Sequence, residues 1–163
     1  MPTRVLLIAQ QCNPDWVSVP LVGWSHSQAL GAVADVHLVT HAHNRANIAK
    51  AGLFEGWDFT AVDPRAADAL VHRVSVLLGV PFGTNKGWTT LTALSRWSYR
   101  QFEQLVWRTF EPRIRAGHFD VVHRLTPLSP TIPSSLAVRC AEAGVPFVLG
   151  PLNGGLPWPP GFG

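Results

Sequence analysis

The chain has 163 residues, 47% of them apolar and only 14% charged, below the roughly 25% charged residues of an average soluble domain. That length carries one domain with a proper core, and its composition excludes a disordered or collagen-like chain. A formal charge of +3 with scattered arginines points away from nucleic acid as a partner.

The first element is "RVLLIA" at 4–9, a short continuous apolar run of the kind found in strands buried on both faces of a parallel sheet. It is too short for a signal-peptide core, and no later run approaches the roughly 18 apolar residues of a membrane span, so a cytoplasmic protein is expected. A Pro-punctuated loop, "QQCNPDWVSVP", leads into a helix expected over 21–34. "DVHLVTHA" at 35–42 is the second strand. "NRANIAKAG" at 44–52 is a short helix, with Asn44 as its N-cap candidate and Gly52 past its end.

"WDFTAVD" at 57–63 reads as a third strand, and Pro64 suits the first turn of a helix over 64–79. A loop over 80–88 precedes the longest periodic segment, a helix from Thr89 to about Ala116. Its apolar positions Leu91, Leu94, Trp97, Phe102, Leu105, Phe110 and Ile114 recur at helical spacing. "FDVVHRL" at 119–125 is a fourth strand, 129–144 a helix whose start is blurred by Pro130 and Pro133, and "VPFVLG" at 145–150 a fifth strand. Regular alternation of strand and helix implies an α/β fold: a Rossmann-like open parallel sheet of about five or more strands with helices on both faces.

Ligands of such sheets bind beyond the carboxyl ends of the strands. The residues there are Gln10 to Asp15, Thr40 to Asn44, His123 to Thr126 and Pro151 to Gly155. No G-x-G-x-x-G or phosphate-loop motif occurs, and "GTNKGWTT" at 83–90 reads as a surface turn. Gly23 stands where the first loop enters its helix, a place suited to a phosphate or, equally, to close packing. His41 and His43 lack acidic or thiol companions nearby, and Cys12 and Cys140 are far apart without a C-x-x-C, so no metal site or disulfide is expected. His123 ends "FDVVH", deep in a strand and at the predicted ligand edge, where a substrate role and a structural role are both open. Arg124 suits a phosphate or carboxylate through its planar fork, or a solvated strand end. Asp120 reads as a residue of the strand start, and no nucleophile elbow surrounds Ser129, Ser134 or Ser135. The long helix, with Trp97, Arg100, Trp107, Arg108, Arg113 and Arg115, suits an anionic lipid surface, but its stripe is more simply a core face.

"RVLLIAQQCNPDWVSVPLVGWSHSQALG" and "DVHLVT", followed by "FDVVHRLTPLSP" and "GVPFVLGPLNGG", together resemble the N-terminal half of a glycosyltransferase family 4 enzyme of the GT-B fold. The resemblance implies an acceptor-side domain facing a C-terminal donor-binding domain, with a sugar transferred from a nucleotide-sugar donor with retention and without a metal or other cofactor. It implies a sugar or lipid-linked acceptor and leaves peripheral contact with the inner face of a membrane open. It carries over Gly23 near the donor phosphates, and His123, Asn153 and Gly154 at the cleft; Arg124 and Thr126 adjoin them as substrate-binding candidates.

Many members of that family have a second His two places after the first and often an acid next, where this chain has Leu125 and Thr126. The family's donor-binding basic residue and its E-x7-E carboxylates belong to the C-terminal domain, which these residues are not expected to include. The 163 residues alone are therefore expected to be inactive. "GPLNGGLPWPPGFG" reads as a connection onward, with Trp158 and Phe162 short of packing partners. Two further readings stay open: a free-standing module for a phosphorylated or glycosylated ligand, and a subunit completed by a separately encoded donor domain.

Overall fold

The computed structural model describes residues 1–64 and 88–154. The helix expected after Pro64, most of "GTNKGWTT", and Gly155, Trp158 and Phe162 lie outside the described residues. Five strands form one sheet: β1 (Arg4–Ala9), β2 (Asp35–His41), β3 (Phe59–Val62), β4 (Val121–Thr126) and β5 (Phe147–Leu149). Their order is β3-β2-β1-β4-β5, and every pairing is parallel. The Rossmann-like α/β architecture expected from the alternation is thus present.

The central strand β1 explains its own sequence. With neighbours on both edges and helices on both faces, it has no solvent side, and Leu6, Leu7, Ile8 and Ala9 are fully buried. Leu6 and Ile8 join one cluster, with Val39, Val122 and the helix α3 (Trp88–Arg115). Val5, Leu7 and Ala9 join the other, with Leu38, Leu125 and Ile48 of the helix α2 (Arg45–Lys50). The helix α1 (Val19–Gly31) covers that second face through Trp24 and Leu30. The short helix α4 (Leu136–Glu142) lies with α3, through Leu136 and Cys140.

The long periodic segment is a helix of 28 residues, on the order of 42 Å at 1.5 Å per residue. Of the expected stripe, Phe102, Phe110 and Ile114 are buried and Leu105 packs beside them, whereas Trp97 is exposed; Tyr99 and Val106 complete a face that turns inward at threes and fours, so this part of the helix is core. Each fully buried Phe or Ile contributes about 1.5–3 kcal/mol relative to exposure. Trp107 is buried too, with the guanidinium carbons of Arg115 and Arg139 at 5.8 and 5.6 Å from its ring. Among the described residues, no helix is long and apolar enough to cross a membrane.

Two sequence expectations need correction. The last helix does not run from residue 129; it is only seven residues long and starts at Leu136, and the Pro-containing stretch before it is a loop. Asn44 does sit at the N-cap of α2, but its side chain caps nothing. Asp120 does mark a strand start: it accepts from the Arg4 backbone N–H at 2.8 Å and from its Nη2 at 2.6 Å, binding the openings of β1 and β4 together. Those bonds hold its carboxyl at about 2. Cys12 and Cys140 are free and buried, and burial pushes their thiols up to about 12 and about 11, so neither has the character of a reactive thiolate.

Candidate functional site at the β1/β4 crevice

The chain leaves β1 for a helix on one face of the sheet and leaves β4 for a helix on the other, which makes the β1/β4 boundary a topological switch point. Loops diverging from a switch point open a crevice at the carboxyl edge. The β1–α1 loop, the ends of β4 and the segment after β5 converge there.

A polar network fixes the β1–α1 loop. Asn13 and Asn44 are fully buried. Asn13 Nδ2 donates to Asn44 Oδ1 at 3.2 Å, and Asn13 Oδ1 accepts from Asn47 Nδ2 at 2.9 Å and from the Asp15 N–H at 3.0 Å. Asn44 Nδ2 in turn reaches the Gln10 carbonyl at 3.0 Å and Thr40 Oγ1 at 2.9 Å. Buried amides this fully paired rigidify a loop, because any rearrangement leaves a desolvated donor or acceptor.

Thr126 holds the same loop from the other side. Its hydroxyl accepts from the Gln11 N–H at 3.0 Å and donates to the Gln11 carbonyl at 3.1 Å, and it is fully buried. A register shift brings it there: Ile8 pairs with Arg124 but Ala9 pairs with Thr126, leaving Leu125 as an extra residue. Leu125, at the position of the family's second His, is fully buried in the core beneath α1.

Gly23 is not at the helix entrance; it lies one turn inside α1. A Cβ there would sit 2.2 Å from the Gln11 carbonyl oxygen, so glycine is what lets α1 lie against the loop.

His123 is half-buried, and its Nε2 is 2.7 Å from the Gly150 carbonyl oxygen. A carbonyl only accepts, so Nε2 carries the proton and Nδ1 keeps its lone pair. Burial, then the nearby His26 ring, lowers the pKa of His123 against the opposing effect of the Gly150 bond. The His26 ring stands edge-on to it, 5.8 Å between centroids. An open groove of about 540 Å³, lined by Ser18, Leu21, Val22, Ser25 and His26, adjoins this pair. The arrangement presents a neutral imidazole acceptor beside a mixed apolar and hydroxyl surface.

His37, buried on the other face of the sheet, behaves similarly: its Nδ1 donates to the Trp57 carbonyl at 3.0 Å, and burial, followed by Arg113, lowers its pKa. For both imidazoles the folded pKa lies below the unfolded value, near 6.5, so the unfolded chain binds more protons as the pH drops beneath it. Their stabilising contribution is present above about pH 6.5 and is lost as pH falls through the lowered folded values. Urea midpoints should therefore be lower at pH 5.5 than at 7.5, and an H37N/H123N double variant should show a flatter dependence. Equal slopes in the two proteins would refute this assignment.

Arg124 departs most from its expected place. It is fully buried, and its fork donates to the carbonyls of Ile132 (2.6 Å), Pro127 (3.0 Å) and Ser129 (3.4 Å), with its guanidinium carbon 5.2 Å from the Tyr99 ring. It shapes the β4–α4 loop from beneath and is not open to a phosphate. Glu103, also buried, holds the far end of that loop, accepting from the Ser134 hydroxyl and from Ser135 N–H and Oγ at 2.7 and 2.8 Å.

The Asn153 N–H donates to the Leu128 carbonyl at 2.7 Å, joining the segment after β5 to the loop after β4, while Asn153 and Gly154 themselves are exposed. Gly154 has φ +103°, which a residue with a side chain rarely adopts. His123, Thr126, Asn153 and Gly154 therefore belong to one stitched carboxyl edge; Gly23 and Arg124 support it from inside. Asn13 and Asn44 fall within the ranges singled out at the carboxyl edge, whereas His26 and Asn47 do not. The signal for His26 was its spacing of three from Gly23 on a helix.

His41 ends β2 and His43 lies in the following single turn, Ala42–Asn44. Trp16, His43 and His41 stack in sequence, with 5.3 and 4.0 Å between ring centroids. Among the described residues, no group of three or more His, Cys, Asp or Glu is placed to hold a metal ion.

Fold and crevice together define an open parallel α/β protein with a ligand edge at its switch point. No family model, curated protein or solved structure matches the chain.

Proposed function

We propose that the chain is the acceptor-side half of a retaining, GT-B-type glycosyltransferase resembling family 4, working in the cytoplasm with a nucleotide-sugar donor. The observation that supports this most is the convergence, at the β1/β4 crevice, of segments that carry the family resemblance: the β1–α1 loop, "DVVH" and "GPLNG" at 150–154. In this reading the His123 Nδ1 lone pair accepts a hydrogen bond from a sugar hydroxyl. The groove beside His26 takes the rest of the acceptor, and the rigid loop before α1 fixes where the donor phosphates lie. Donor binding and the family's acidic pair are assigned to a partner half.

The test is a titration of the histidine-labelled chain with nucleoside diphosphate sugars, sugar phosphates and glycosides, followed by NMR, alongside transfer assays. Saturable shifts of His123 and His26 are expected. The chain by itself should show no sugar transfer, and transfer with retention should appear once a donor-binding half is supplied. Turnover by the chain alone, or a panel that leaves both rings unmoved, would overturn the reading.

A further inference from the structure

Four aromatic rings from three parts of the chain form a row across the carboxyl edge. Trp16, in the β1–α1 loop, lies over His43 with 16° between ring planes, and His43 lies over His41 with 27°. His41 is in turn nearly parallel to Phe102 of α3, at 12° and 6.5 Å. The row begins at a fully buried Phe102 and ends at a Trp16 that is 45% exposed.

The stack holds the plane of an indole that is still 45% exposed, so a flat apolar surface is presented in one fixed orientation. Here the ring is fixed in plane by stacking, while the loop beneath it is pinned by Asn13, which binds both the Asp15 N–H and Asn47 Nδ2. Asp15, the residue before Trp16, has its carboxylate 3.8 Å from the Lys50 ammonium, the two side chains being 50% and 79% exposed. The loop that carries the flat apolar plate thus also brings a strong acceptor and, through it, a strong donor.

The chemistry that fits is a pyranose ring. Its C–H face covers an indole, and its ring-edge hydroxyls both donate and accept, so one neighbouring pair satisfies a carboxylate and an ammonium at once. A nucleobase would find the plate but only a fixed edge pattern for the pair. We propose that Trp16 is a stacking platform for a sugar ring of the acceptor, with Asp15 and Lys50 as its hydroxyl partners. This rests on the transferase reading and deepens it, since it assigns a sugar-bearing acceptor.

The experiment uses the 163-residue chain, ¹⁵N-labelled at tryptophan, with methyl glucopyranosides, mannopyranosides and galactopyranosides and N-acetylglucosamine as probes. Uridine and guanosine monophosphate form the second arm. At least one glycoside is expected to shift the Trp16 indole N–H and to receive saturation transfer mainly through one C–H face. Trp16→Ala should weaken its binding by about tenfold or more, and Trp16→Phe should recover most of that loss. Because Trp16 is half exposed, both variants should melt like the parent, so lost binding is not lost folding. Glycoside binding unchanged in Trp16→Ala would overturn the platform and leave the transferase reading standing on His123. An indole that responds to the nucleotides alone would overturn the sugar assignment. Absence of glycoside binding altogether would also overturn it, and the transferase reading would then rest on transfer with the donor half.

Discussion

Arg124→Met is expected to lower stability by about 3–5 kcal/mol, from the loss of its charge-assisted bonds to buried carbonyls. Methionine fills similar volume but donates nothing, and the carbonyls of Ile132 and Pro127, bound at 2.6 and 3.0 Å, lose their partner. Each such bond to a charged donor is worth about 1.5–3 kcal/mol, and an orphaned buried acceptor costs its desolvation besides. Relief of the charge's own burial offsets part of this and keeps the figure from being larger. Arg124→Lys should recover only a minority of the loss, because an ammonium on a shorter reach replaces a planar fork. Urea unfolding measures both; a loss below about 1 kcal/mol for the Met variant would mean the β4–α4 loop is held by other contacts.

Gly23→Ala should destabilise by about 2 kcal/mol or more, while Gly31→Ala in the same helix should be neutral or stabilising by up to about 1 kcal/mol. The same chemical change has opposite signs because of what the new methyl meets. At Gly31 nothing lies within 4 Å, so only the helix preference for alanine counts. At Gly23 the methyl would sit 2.2 Å from the Gln11 carbonyl oxygen, and that carbonyl is itself bound by the Thr126 hydroxyl at 3.1 Å. Neither α1 nor the loop can give way without breaking a bond at the crevice. His26, on the same helix, should move with it, so a shift in the His26 resonance is the accompanying readout. Equal effects at the two glycines would refute the close-approach argument.

Much of the architecture was legible because β1 and α3 state their surroundings in composition. "RVLLIA" has no polar alternation since it has no wet face, and the α3 stripe recurs at threes and fours since one side of that helix lies on the sheet. The start of α4 was not legible. Its sequence, with two prolines and three serines near the front, fits a frayed helix as well as a loop, and the decision is made by Arg124, on the strand just before it, and by Glu103, 32 positions before Ser135, which bind the loop's carbonyls, hydroxyls and one N–H. The site divides in the same way. His123 was visible on the fourth strand, where it is the third of the six residues of β4, but the role of Arg124 depends on whether its fork turns toward the edge or under it, which local sequence does not encode. Asn44 illustrates this too: an N-cap residue by type and position, it spends its amide on the loop of another strand.

The sheet order has a consequence for how the chain is made. β1, the most apolar strand and the centre of the sheet, leaves the ribosome before the other four strands, and β2 follows within about thirty residues to cover one of its edges. Its other edge waits for β4: the bonds joining Gln11 to Thr126 span 115 positions of sequence. Until β4 is made, a six-residue strand has an unpaired backbone edge and no mate within reach. Long-range parallel pairing of this kind is slow, and open apolar edges are where nascent chains associate wrongly. The segment between β3 and β4 thus sets the interval over which the growing chain depends on shielding.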